Sequence, residues 1–222
     1  MKQAVKTITF EQGQKLLWYI RQDHHSIETE KLAIRNKLMV LIMLDAGLRV
    51  GELVQLRLRD LYFGDGPVKN LIVRADIAKL GFERVIPTSN GLLHAIEEIW
   101  KNQWQYLRQD FNHFAFWGAL SNFNLTVRQI QFIVEKASVN AIGFKITPHV
   151  LRHTFATRLM RITTMPVVQK LLGHCCLSST QIYMHPNTTD LTRAIAGIDN
   201  AKSQEAKTSL ENAEKTVADS VA

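Results

Sequence analysis

The stretch from Ile34 to Leu44 limits the possible folds of this chain more than any other. It is strongly apolar and built of helix-favouring residues, and Leu38–Leu44 carries no polar side chain at all. A helix that is apolar all round has to be enclosed by other elements. It is also far short of the roughly 20 residues a membrane-spanning helix needs. The run ends at Asp45-Ala46-Gly47, where Gly47 is the natural C-terminal breaker. A buried central helix therefore implies a domain wrapped around it. A chain of 222 residues with 46% hydrophobic residues can supply one.

The flanking patterns describe that wrapping. Thr9 followed by Phe10, Leu16, Leu17 and Ile20 reads as a capped amphipathic helix. After Gly47 a second helix should start at once and carry Arg49, Glu52, Leu53 and Leu56. Leu71–Arg74 and Glu83–Ile86 flank a link containing Lys79, Leu80 and Gly81, and read as the one clear hairpin, ended by Pro87. Leu92, Leu93, Ile96, Ile99 and Trp100 recur at helical spacing, as does the segment Thr126–Val139. Between them, Gln109–Phe123 is aromatic and irregular. Trp100, Trp104 and Tyr106 read as core or partial core rather than as a platform for stacking bases. The expected fold class is mainly α with a small antiparallel β-hairpin (α+β).

The C-terminal third is the most informative. Thr147 is a good N-cap and Pro148 suits the first helical position, so a helix should run to about Met160. Thr164 and Pro166 open another, which closes at Leu172-Gly173. Ser178 or Ser179 can cap a short helix bearing Tyr183. Residues 200–222 are polar, without a sustained apolar face, and read as a flexible tail.

Charge narrows the partners. Lys and Arg number 27 against 20 Asp and Glu, a net +7, which favours a polyanion such as DNA, RNA or anionic lipid. Cys175 and Cys176 are sequence neighbours, which disulfide geometry resists. Beside His174 they hint at metal, but no second ligand pair accompanies them, and a structural zinc site needs four ligands. With no signal peptide, a reduced, cytoplasmic protein is expected.

His149, Arg152 and His153 stand at i, i+3 and i+4 at a helix start, so they share a face. Cations gathered at the positive end of a helix are electrostatically awkward unless an anion sits among them. A phosphate fits, and the planar guanidinium of Arg152 can grip two of its oxygens. Downstream lies Leu172-Gly173-His174, with Tyr183 nine residues on. Upstream lies Gly47-Leu48-Arg49-Val50-Gly51-Glu52-Leu53.

These boxes, G-x-R-x-x-E-L, H-x-x-R-H, L-G-H and a tyrosine nine residues after the last histidine, occur in the order and spacing of the tyrosine recombinase (phage integrase) family. The chain resembles its catalytic domain from about Thr7 to Ile198. The resemblance implies that the chain is a site-specific recombinase that cleaves and rejoins DNA through a 3′-phosphotyrosyl intermediate, in inversion, integration or excision. Tyr183 is then the nucleophile, Arg49 and Arg152 hold the scissile phosphate, and His149 is the general base. His174 is a further phosphate donor, Lys79 protonates the leaving 5′ oxygen, and Glu52 orients Arg49. His153 supports the helix. No metal and no cofactor is implied. The implied partners are double-stranded DNA, three further copies of the chain in a tetrameric synapse, and an accessory DNA-bending protein, with no membrane.

Two departures from the family stand out. Ile162 occupies the link where relatives often have Gly. The catalytic pattern starts almost at residue 1, so residues 1–199 read as the catalytic domain with no separate N-terminal DNA-clamping domain, as in small single-domain invertases of the fimbrial type. Taken singly, each motif has a plainer reading: Arg49 a surface charge, Tyr183 a packed phenol, His174 a helix-end residue, Lys79 an exposed hairpin lysine. Two other functions share the pattern: a catalytically silent DNA-binding regulator and a type IB topoisomerase.

Overall fold

The structure, a computed structural model, describes residues 7–22, 26–107, 110–118 and 123–173. They all belong to one unit, Met1–Tyr183; a second unit, Met184–Ala222, lies outside the described residues.

Helix α1 (Phe10–Gln22) opens with reciprocal capping. The Thr9 hydroxyl accepts from the Gln12 N–H at 3.1 Å, and Gln12 Oε1 accepts from the Thr9 N–H at 2.9 Å. Leu16 and Ile20 turn inward. Phe10, read from sequence as part of the apolar face, is exposed, and the Arg158 guanidinium lies 5.7 Å from its ring centre. Helix α2 (Ile27–Asp45) starts well before Ile34 because Ser26 and Thr29 form a capping box. Every residue from Leu38 to Leu44 is buried. Each such aliphatic side chain contributes about 1.5–3 kcal/mol relative to exposure. Thus α2 is the axis of the core, with α1, α5 (Asn90–Asn102) and α7 (Pro148–Met160) packed against it.

The chain leaves α2 through Gly47, at φ +62°, a left-handed conformation that L side chains resist. Space forbids a side chain there as well. A β-carbon on Gly47 would stand 2.2 Å from Cδ1 of Phe155. The next helix is shorter than the sequence pattern predicts. Helix α3 is Val50–Leu53 alone, with Arg49 as its N-cap, and Leu56 is buried beyond it.

Helix α4 (Leu58–Leu61) leads into two small antiparallel ladders. The first, β1 (Tyr62–Phe63) with β2 (Gly66–Pro67), is not foreseen from the sequence, because two-residue strands leave no alternation to detect. The second, β3 (Asn70–Val73) with β4 (Arg84–Pro87), is the expected hairpin. Its register pairs Leu71 with Ile86 and Val73 with Arg84, and these four side chains face inward while Ile72 and Val85 face out. Pro87 is the last paired residue, opposite Asn70, rather than a residue beyond the strand.

After α5, the tryptophan region divides. Trp104 is fully buried, and Trp100 stacks on Tyr62 with ring centres 3.9 Å apart, but Tyr106 is exposed on the 3-10 turn Trp104–Leu107. Helix α6 (Val127–Ile142) starts at a Thr126–Gln129 capping box and ends at left-handed Gly143. Thr147 takes the N-cap position of α7, yet its hydroxyl accepts no bond from the first turn. The start is set by Pro148, whose fixed φ suits the helix and whose missing N–H has no partner to lose. Helix α8 (Met165–Leu172) ends at left-handed Gly173.

The link between α7 and α8 accommodates Ile162 without a left-handed residue. Arg161 stays right-handed, and the N–H groups of Ile162 and Thr163 both donate to Leu159 O, at 3.0 and 2.9 Å. The turn needs no positive φ, and Ile162 points outward, 80% exposed. Among the described residues no helix is long and apolar enough to cross a membrane.

Gly47→Ala combines a left-handed backbone with a clash against Phe155. It should destabilise the domain by about 2–4 kcal/mol, measured as a shift in the urea unfolding midpoint. A loss below about 1 kcal/mol would show that the α2–α7 junction is not tightly closed.

Candidate active site

The site begins with a local necessity. A helix start leaves amide donors unsatisfied, and a carboxylate three residues past the N-cap can reach back to one of them. Glu52 stands in that position relative to Arg49, and its Oε2 accepts the Arg49 backbone N–H at 2.8 Å. Its Oε1 accepts Arg49 Nη1 at 3.0 Å. The R-x-x-E spacing thus fixes the arginine twice, by main chain and by guanidinium.

Glu52 is buried, its side chain 2% exposed. A lone carboxylate there would be strongly disfavoured. Arg84, inward on β4 and 4% exposed, supplies the answer as a two-pronged partner. Its Nη1 meets Oε1 at 3.0 Å and its Nη2 meets Oε2 at 2.6 Å. Burial by itself raises the Glu52 carboxyl. The hydrogen bond and charge of Arg84, the Arg49 N–H and the charge of Arg152 outweigh it, and the carboxyl lies below its ordinary value.

Arg152 is buried on the first turns of α7. It donates to Gly47 O through Nη1 and to Leu172 O through Nη2, the latter at 2.7 Å. Arg84 Nε donates to Leu171 O at 3.0 Å. The two last carbonyls of α8 are therefore taken by arginines from two different elements, where cations are favoured by the helix dipole. Gly173 follows at φ +63°, and a β-carbon there would meet Arg84 Cδ at 3.0 Å. His174 is the next residue in the chain.

His149 is exposed at the second position of α7, and His153, one turn on, is half-buried. Burial, then the charges of His149 and Arg152, push the His153 imidazole below its ordinary value. Lys79 lies exposed in the turn-rich link between β3 and β4. Two residues singled out from sequence, His174 and Tyr183, lie outside the described residues.

Structure thus gathers Arg49, Glu52 and Arg152 at one place, while Lys79 is exposed in the link of the hairpin. Arg49 is not the surface charge it resembles in isolation, since its side chain is only 20% exposed. Sequence reasoning passes over Arg84. Its signal is there: in the alternating hairpin register it sits on the inward face between Val73 and Ile86, where a charge needs a buried partner.

The solved structures on which this mainly helical domain superposes are tyrosine recombinases. Residues 6–190 match the phage integrase family, and the chain belongs to it. The tyrosine recombinase XerA of Pyrococcus horikoshii is 38% identical over 165 residues, covering 73% of this chain and 54% of that protein. XerC of Mannheimia succiniciproducens is 34% identical over 84% of this chain and 58% of its own. The chain spans a little over half the length of these relatives. Among solved structures, the XerA recombinase superposes with a TM-score of 0.68 at 25% identity, covering 86% of this chain and 65% of that one.

Glu52→Gln tests the ion pair. The folded carboxyl lies below its unfolded value of about 4.5. Ionised Glu52 therefore contributes its full stabilisation above that pH, and the contribution is lost as pH falls through the depressed value. At pH 7 the variant should lose about 3–5 kcal/mol, because it leaves buried Arg84 without its countercharge. Its acid unfolding limb should flatten accordingly. Equal losses for wild type and variant between pH 7 and pH 3 would contradict this.

Proposed function

We propose that the chain is the strand-cleaving and strand-joining part of a site-specific recombinase acting on double-stranded DNA. The carrying observation is the buried Glu52, shared by Arg49 and Arg84 with Arg152 adding its charge nearby. One carboxylate in direct contact with two guanidinium groups leaves that trio net positive in a site largely shielded from water. Such a preorganised field suits a phosphodiester, whose negative charge grows in the pentavalent transition state.

In this reading Arg49 and Arg152 hold the non-bridging oxygens. The Tyr183 hydroxyl gives its proton to His149 and attacks phosphorus. The Tyr–O–P bond forms, the P–O5′ bond breaks, and Lys79 protonates the leaving 5′ oxygen. The phosphotyrosyl link conserves bond energy, so a 5′ hydroxyl from a second strand can reverse the step. His174 donates a further hydrogen bond to the phosphate. The family match and the relatives named XerA and XerC support the reading. Another relative in structure, XerH, has been solved bound to its difH substrate in a pre-cleavage complex, at 25% identity and a TM-score of 0.67. Four protomers would bring two DNA sites together in the cytoplasm, with an accessory DNA-bending protein assisting.

The test does not require the target sequence to be known. The full chain is incubated with a pool of randomised duplexes that carry a nick, which traps any cleaved intermediate. Wild-type protein should form covalent adducts that converge on one sequence, and Tyr183→Phe should form none. On that sequence, Arg49→Ala and Arg152→Ala should bind DNA nearly as well as wild type but cleave about 100- to 1000-fold more slowly. Adducts without sequence convergence would indicate topoisomerase-like action. Binding without any adduct would indicate a regulator.

A further inference from the structure

Arg84 lies between the two segments that build the phosphate site. Its guanidinium makes three hydrogen bonds, two to Glu52 and one to Leu171 O, and each leads elsewhere. Glu52 leads to the backbone and side chain of Arg49. Leu171 leads to the end of α8, whose next carbonyl is held by Arg152. The aliphatic part of Arg84 lies against Gly173, the residue before His174. One buried side chain on the hairpin thereby joins the Arg49 turn to the end of α8.

Geometry explains why arginine is needed. Spanning both oxygens of one carboxylate and a carbonyl on the other side takes three N–H groups set in a plane. Lysine has one nitrogen and no planar fork, so it can hold the charge without holding the directions. A residue needed only to neutralise Glu52 could be lysine, whereas one needed to aim Glu52 could not.

We propose that Arg84 is a positioning residue of the phosphate site: acting through Glu52, it sets the direction in which Arg49 presents its guanidinium, and it ties that direction to the end of α8. This rests on the recombinase reading. Arg84 itself does not reach the phosphate. Its loss should therefore change the rate of cleavage on bound DNA rather than the affinity for DNA.

The experiment uses the full chain and a nicked duplex bearing the sequence that wild-type protein selects. Arg84→Lys and Arg84→Gln are compared with wild type for single-turnover cleavage at saturating DNA, for DNA affinity, and for thermal unfolding, all at a temperature where each is folded. Arg84→Lys should cleave at least about tenfold more slowly with affinity within about threefold of wild type, the mark of an interaction made in the transition state. Arg84→Gln should be slower still. The decisive arm is the combination with Arg49→Lys. If Arg84 works through Arg49, the double variant should be less impaired than the product of the two single effects, by about fivefold or more.

Adducts from wild type with undiminished rates in both Arg84 variants would overturn this proposal and leave the recombinase reading standing. So would effects of Arg84→Lys and Arg49→Lys that simply multiply, or failure of both Arg84 variants to fold, which would make Arg84 a structural residue alone. No adduct from the wild-type chain would overturn the recombinase reading, and this proposal with it.

Discussion

Glu52 is the one buried carboxylate at the site, and the surrounding architecture answers its needs. An ionised carboxyl away from water requires donors on both oxygens. Arg84 supplies two, and Arg49 supplies one from its main chain and one from its side chain. Those four bonds come from a turn and a strand that are 32 residues apart in sequence. Satisfying the carboxylate therefore also brings the hairpin onto the turn. Two of the same bonds tie Arg49 to Glu52 through its main chain and its guanidinium.

A second constraint acts at the end of α8. Its last carbonyls have no partners within the helix, and buried carbonyls must find some. Arg84 and Arg152 fill two of them. Arg152 also holds Gly47 O, while Phe155, one turn further along α7, fills the space that a side chain on Gly47 would occupy. Together these contacts close α2, α7, α8 and β4 around one point. The arginines proposed to bind substrate are thus already engaged in holding the fold. Substitutions here should seldom affect activity or stability alone.

Much of this is legible in the sequence, because its signals are local. The apolar run Leu38–Leu44, the hairpin, the cap at Thr9 and the close of α8 at Gly173 all depend on neighbouring residues, and all appear, whereas Thr147 takes its N-cap position without a side-chain bond. Two elements differ from expectation for physical reasons. The helix after Gly47 is only one turn long, since its start is governed by the Arg49–Glu52 bonds and not by an apolar face. Strands of two residues, Tyr62–Phe63 and Gly66–Pro67, are too short to show a period. Arg84 escapes a sequence reading because its role is non-local: nothing within the hairpin reveals that its partner is Glu52. The turn at Ile162 closes without a glycine, because backbone bonds to Leu159 O hold it in right-handed geometry. His174 and Tyr183 fall outside the described residues, so the motif spacing stands as their only placement.

Arg49 and Arg152, held by Glu52 and by the end of α8, should converge on one phosphodiester. An experimental structure of Tyr183→Phe bound to its intact selected duplex would show whether they do. Non-bridging oxygens of a single phosphate should lie within about 3 Å of guanidinium nitrogens from both arginines, with the Glu52–Arg84 bonds intact. A complex in which that DNA lies on another face, or in which the two arginines contact different phosphates, would refute the convergence.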